Sequence, residues 1–128
     1  MTVEIEFLYD FGGPNSWFVH RAIPAIEAEG KVRFRYVPVL LGGIFKATGN
    51  SPPMMSYGHV QAKVAYDRLE MQRFMDRHSI SGFQFNPHFP VNTLLAMRGA
   101  VAAEQLGCGP AYREAMYTAL WQDGLKLD

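Results

Sequence analysis

The opening segment constrains the fold more than any other part of this chain. Val3 to Tyr9 alternates, with Val3, Ile5, Phe7 and Tyr9 on one face and Glu4, Glu6 and Leu8 on the other, which is the period of a strand. It runs into Asp10-Phe11-Gly12-Gly13-Pro14-Asn15-Ser16, dense in turn residues. Pro14 suits the first helical position, where its missing N–H is not needed, and this makes Gly13 the expected N-cap. The helix that follows runs to about Glu29 and stops at Gly30, with Trp17, Ala22, Ile23 and Ile26 as its buried stripe. Pro24 inside it predicts a kink. Val32 to Val39 reads as a second strand. Strand, helix and strand at this spacing form a βαβ unit, parallel and right-handed almost without exception.

Beyond the second strand the texture changes. Leu40 to Pro53 reads as a loop with a short turn at Gly43 to Lys46, broken by Thr48-Gly49-Asn50 and Pro52-Pro53. His59 to His78 carries Val60, Val64, Met71, Phe74 and Met75 near helical spacing, so a long amphipathic helix is expected. Gly82 to Pro90 is a loop. Asn92 is placed to cap a third helix bearing Leu94, Leu95, Met97, Val101 and Leu106, closed by Gly107. Pro110 starts a fourth, with Tyr112, Met116, Leu120 and Trp121. The fold class is therefore α/β, divided into residues 1–53, the βαβ segment, and residues 54–128, all helical.

At 128 residues the chain has room for one core. Two parallel strands leave edges unpaired, so further strands, from a longer chain or from a second copy in a homo-oligomer, are expected to cover them. Twelve basic side chains balance twelve acidic ones, so no whole-molecule field draws nucleic acid or an anionic membrane. Met1 is followed by Glu4, Glu6 and Asp10, with no basic and apolar leader, and no apolar run approaches the roughly 20 residues of a membrane span. Cys108 is the single cysteine, which permits neither an internal disulfide nor a Cys-x-x-Cys pair. A cytoplasmic location is the expectation.

The first turn concentrates what a small-molecule site requires. A helix N-terminus presents free N–H groups and partial positive charge, which stabilise a thiolate, carboxylate or phosphate. Gly12 and Gly13 let a ligand approach the backbone, and Ser16 offers a hydroxyl one turn in. The same residues would also serve as an ordinary tight βα turn with Ser16 facing solvent. His20, His59, His78 and His88 lack metal-ligand spacing, and no cluster suggests a metal. Lys63 reads as a solvated charge and Asn50 as a turn residue.

In order along the chain, several segments resemble one family: the 2-hydroxychromene-2-carboxylate isomerases and kappa-class glutathione transferases, relatives of the DsbA branch of the thioredoxin superfamily. Phe7-Leu8-Tyr9-Asp10-Phe11 with Pro14, Ser16 and Trp17 is similar to the family's first turn. Leu41-Gly42-Gly43-Ile44, Lys46, Thr48-Gly49-Asn50 and Pro52-Pro53 are similar to the segment after its second strand. Lys63, Tyr66, Gln72, Arg73 and Phe74 fit its long insertion helix, and Phe89-Pro90 the loop beyond.

The resemblance implies a thioredoxin-like βαβ half followed by a helical insertion, with glutathione as cofactor and an aromatic acid as substrate. It implies a chemistry of thiolate addition, rotation about the freed bond and elimination. The family's catalytic serine falls at Gly13, so the sulfur contact passes to Ser16 or to the N–H groups of residues 15 and 16. Pro14 and Asn15 complete that turn, Asn50 corresponds to an asparagine near the cofactor, and Lys63 to a lysine on its glycyl carboxylate. Gly13 equally fits a relative that keeps the fold and binds without catalysing. A disulfide oxidoreductase is disfavoured, because Gly13 and Ser16 stand where its two cysteines would be. The family's closing strands and helix, which grip the γ-glutamyl end, have no counterpart before Asp128. Turnover by these 128 residues alone is therefore not expected.

Overall fold

The structure, a computed structural model, describes residues 1–128. Its elements are β1 (Val3–Tyr9), α1 (Pro14–Ala28), β2 (Val32–Pro38), α2 (Leu41–Thr48), α3 (Pro53–Tyr57), α4 (Gln61–His78), α5 (Leu94–Gln105) and α6 (Gly109–Trp121). The two strands pair in parallel, from Val3 opposite Val32 to Tyr9 opposite Pro38. No helix is long and apolar enough to cross a membrane.

Burial along β1 is graded. Val3 is 52% exposed and Ile5 39%, whereas Tyr9 is 1% exposed. The core therefore sits at the C-terminal end of the sheet, where the first turn meets α5 and α6. There Tyr9, Phe11, Trp17, Phe18, Tyr117 and Trp121 pack with Met97, Leu120 and the alanines of α5. The rings meet edge to face, as their quadrupoles favour: Phe11 and Tyr117 lie 4.9 Å apart at 81°, and Tyr9 and Phe11 5.4 Å apart at 69°. Each such ring contributes on the order of 1.5–3 kcal/mol by leaving water. The Trp121 indole N–H donates to the Phe11 carbonyl at 2.7 Å, pinning the last helix to the first turn. Residues from both halves of the sequence thus share one core.

Several expectations are corrected. The segment from Leu40 folds as a helix, α2, and not as a loop with a short turn. Its first N–H, on Leu41, donates 2.8 Å to the Asp10 carboxylate, a cap supplied from the residue that follows β1, across 31 positions of sequence. Gly49, in the left-handed region at φ 68°, closes it. Pro52-Pro53 breaks nothing but begins α3, with Pro53 in its first turn. His59 precedes α4 and does not lie on it. Thr93 occupies the N-cap position of α5, and Asn92 supports the turn by accepting the Leu94 N–H at 3.1 Å.

The buried face of α5 is small, made of Ala96, Met97, Ala100 and Ala103, while Leu95 is 74% and Leu106 80% exposed. The reason is close approach to α6. A Cβ on Gly99 would lie 2.1 Å from the Tyr112 hydroxyl, which itself donates to the Ala96 carbonyl at 2.9 Å. In α1, Phe18 joins Trp17, Ala22 and Ile23 as fully buried, and Ile26 is half-buried. The helix continues through Pro24.

One buried carboxylate ties these pieces together. Asp10 Oδ1 accepts the Gly12 N–H at 2.9 Å and the Thr93 hydroxyl at 2.6 Å, while Oδ2 takes the Leu41 N–H. Replacing Asp10 by Ala strands three donors, and the expected loss is about 2–4 kcal/mol in urea denaturation. Thr93→Val removes one donor and should cost about 1 kcal/mol. An Asp10→Ala protein as stable as Thr93→Val would show that the carboxylate is not the organising group.

Candidate functional site

The first turn is shaped by what Asp10 holds. Gly12 is pressed against the N-cap of α5, for a Cβ there would sit 3.0 Å from Thr93 Cγ2. Gly13 caps α1 with extended backbone, φ −95° and ψ 123°, and offers no side chain. The Ser16 N–H turns back to the Gly13 carbonyl at 3.1 Å, leaving the Asn15 N–H as the free donor of the expected pair. The Ser16 hydroxyl is hydrogen-bonded to the Tyr117 hydroxyl.

Gly13, Pro14, Asn15 and Ser16 line a groove of about 1130 Å³, and Lys63 of α4 lines the same groove. Its apolar wall is made of Phe18, Phe45, Phe74, Phe85 and Phe89 together with aliphatic side chains such as Val19, Val64 and Met71, and Asp67 and Glu70 of α4 also line it. The Lys63 ammonium lies 3.8 Å from the centre of the Tyr57 ring and forms no ion pair, so its charge is available to a ligand. Farther along α4, Glu70 pairs with Arg73 at 2.6 Å, and that contact lowers the Glu70 pKa. A free backbone N–H, a hydroxyl and a lysine around an aromatic cleft suit an organic anion.

Asn50 is not brought to the groove. It is exposed beyond the end of α2, its backbone N–H closing that helix on the Phe45 carbonyl at 2.9 Å and its amide donating to Thr48 at 3.0 Å. Tyr117, by contrast, was not singled out in the sequence. Its helical spacing to Leu120 and Trp121 signals burial, but nothing local reveals a partner 101 positions away. Tyr117 is 1% exposed, and burial pushes its hydroxyl pKa far above the usual value, so the hydroxyl stays neutral and keeps its hydrogen.

Behind Tyr117 lies a second polar group. The His20 ring stacks on it at 4.5 Å and 21°, with Nε2 2.8 Å from Glu114 and Nδ1 2.8 Å from the Tyr36 hydroxyl. A carboxylate only accepts, so Nε2 carries the hydrogen and Nδ1 accepts from Tyr36, whose pKa is pushed up to about 12 by burial. Burial also lowers the His20 pKa, against the pull of Glu114 and with minor help from Arg21 and Arg113.

The sign follows from the neutral ring of the folded state. The unfolded chain takes up a proton near the ordinary value of 6.5, and the folded chain only at lower pH. His20 thus contributes stability that is present above pH 6.5 and is lost as pH falls toward its folded pKa. Chemical denaturation at stepped pH should show this acid-side decline, and His20→Gln should flatten it. A second expectation concerns the cap. A Cβ on Gly13 meets nothing closer than 3.9 Å, and serine is an equal or better N-cap than glycine. Gly13→Ser should leave stability within about 0.5 kcal/mol of the parent in thermal melts. A larger loss would mean the turn cannot hold a side chain.

Comparison with known proteins agrees with this architecture. A family model described as DSBA-like thioredoxin domain matches residues 4–128. Glutathione S-transferase kappa 1 of Rattus norvegicus is 30% identical over 119 residues, covering 91% of this chain and 51% of that protein. A 2-hydroxychromene-2-carboxylate isomerase of Pseudomonas sp. (strain C18) is 27% identical over 131 residues, covering 100% of this chain and 58% of that protein. A solved structure of 2-hydroxychromene-2-carboxylate isomerase superposes with a TM-score of 0.74 at 21% identity, over 96% of this chain and 58% of that one, a likeness of fold. The chain spans about half the length of the curated relatives it matches. With the family model matched over nearly its whole length and the βαβ unit and helical segment in place, the chain belongs to the DSBA-like thioredoxin domain family.

Proposed function

We propose that the groove at the start of α1 binds glutathione, and that the protein serves a glutathione-dependent isomerisation of the 2-hydroxychromene-2-carboxylate type on an aromatic acid. One observation carries this reading: the Ser16 hydroxyl, the Asn15 N–H and the unpaired Lys63 ammonium line a single aromatic groove. The names of the relatives, a kappa glutathione transferase and an isomerase, support it.

The donor set fits the cofactor. Ser16 and the N-terminus of α1 would hold its sulfur as the anion, Pro14 leaves the first turn without a competing N–H, and Lys63 would take a terminal carboxylate. Gly13, standing where the resembled family has serine, adds no contact of its own. The bound thiolate supplies a nucleophile that adds to an unsaturated acid and leaves again. The chain's part is to keep that sulfur ionised and to seat a flat acid against the phenylalanine wall, out of water.

The missing side chain at Gly13 favours a second reading, a protein that binds glutathione or a similar anion without turning anything over. Binding and turnover separate the two. At 100 times its dissociation constant, glutathione should add about 2.7 kcal/mol and raise the thermal midpoint accordingly. Ser16→Ala and Lys63→Ala should each weaken binding by about 10-fold. Lys63→Ala should change the ligand-free stability by under about 0.5 kcal/mol, whereas Ser16→Ala, which leaves the buried Tyr117 hydroxyl without its partner, should cost about 1–3 kcal/mol. A midpoint indifferent to glutathione would refute both the cofactor and the proposed roles of Ser16 and Lys63. Binding without turnover of a 2-hydroxychromene-2-carboxylate would favour the second reading.

A further inference from the structure

Tyr117 is a polar group in direct contact with Ser16 that the reading above does not use. It is fully buried among Phe11, Tyr9 and His20, and its hydroxyl has one hydrogen-bond partner, Ser16 Oγ. Either oxygen could donate in that pair, but the surroundings decide between them. If Ser16 donated, the Tyr117 hydrogen would be a buried donor with no acceptor, at a cost the alternative avoids. If Tyr117 donates, nothing is left unsatisfied: Ser16 accepts from behind and keeps its own hydrogen on the groove side, where Ser16 is part of the wall.

The geometry points to Tyr117 as a positioning residue that donates its hydroxyl hydrogen to Ser16 and so fixes Ser16 as a donor to an anionic sulfur. This rests on the reading of Ser16 as the sulfur contact, but the donation itself is a property of the ligand-free protein. Two hydrogen bonds in series polarise one another, so an anion accepting from Ser16 is held more strongly with Tyr117 behind it than with Ser16 alone. Burial keeps the hydrogen on Tyr117 near neutral pH, so it remains there to be donated, and Ser16 is the one acceptor it has. The relay also selects for charge. A thioether or a protonated thiol gains little from a polarised hydroxyl, and a thiolate gains much.

A thiol placed at position 16 reads the donation without any ligand. In a Cys108→Ser background, Ser16→Cys carries the chain's one sulfhydryl, and ultraviolet absorbance of the thiolate gives its pKa. With Tyr117 intact that pKa should lie below the free-cysteine value of about 8.5, and adding Tyr117→Phe should raise it by about one unit, a tenfold change in ionisation constant. Equal titrations in two cooperatively melting proteins would overturn the proposal. Should Tyr117→Phe fail to fold, 3-fluorotyrosine at position 117 keeps the ring and strengthens the donor. It must then lower the introduced thiol's pKa, and an unmoved value overturns the proposal equally.

Glutathione and S-methylglutathione, titrated against the parent chain and Tyr117→Phe, extend the test to the ligand. Tyr117→Phe should weaken glutathione several-fold at a pH where its bound thiol is ionised, and leave S-methylglutathione unchanged. Equal weakening of both would mean that Tyr117 merely shapes the wall. If neither binds the parent chain, the glutathione reading falls, and the thiol titration still decides the donation.

Discussion

The arrangement of this protein depends on where the Asp10 carboxylate finds its donors. A buried carboxylate is costly unless each oxygen is hydrogen-bonded, and the nearest donors belong to three different places in the chain: Gly12, Leu41 and Thr93. Satisfying them brings the end of β1, the start of α2 and the N-cap of α5 to one point. The first turn is then fixed from both sides, and the axis of α1 with it. The direction in which Asn15 and Ser16 face the groove follows from that constraint more than from anything in the turn itself.

Around this point the core is aromatic, and it is also partly polar. Tyr9, Tyr36, Tyr112 and Tyr117 pack their rings as hydrophobic surface, and burial raises the pKa of each hydroxyl, so the phenols remain neutral near neutral pH. Three of these hydroxyls serve a defined partner: Tyr36 meets His20, Tyr112 the Ala96 carbonyl and Tyr117 Ser16. The same packing that stabilises the fold therefore orients the polar groups at the groove. Stability and site are one set of contacts, joined through the stack of His20 on Tyr117.

Much of the fold is legible in the chain because its signals are local. The alternation of Val3 to Tyr9, Pro14 after Gly13, and Gly30 after the helix each act within a few residues, and each element stands where they put it. The signals fail where the deciding contact is distant. Gly42 and Gly43 argue for a loop, yet the segment is helical, with its first N–H capped by Asp10 just beyond β1. Leu95 and Leu106 look like core, yet the face that packs carries Met97 and three alanines, and α6 approaches so closely at Gly99 that no side chain fits there. Asn50 lies near the expected segment, yet α2 carries it out to solvent.

The sequence by itself determined the βαβ opening, the helical remainder and the turn that carries Ser16, because strand period, proline geometry and glycine caps need only neighbours. Only the tertiary structure decided that Lys63 shares a groove with Ser16, and that Tyr117, 101 residues away from Ser16, stands behind it. The physical reason is that burial creates those roles. A tyrosine is an ordinary phenol until water is removed from it, and a serine hydroxyl has no preferred direction until a buried donor supplies one.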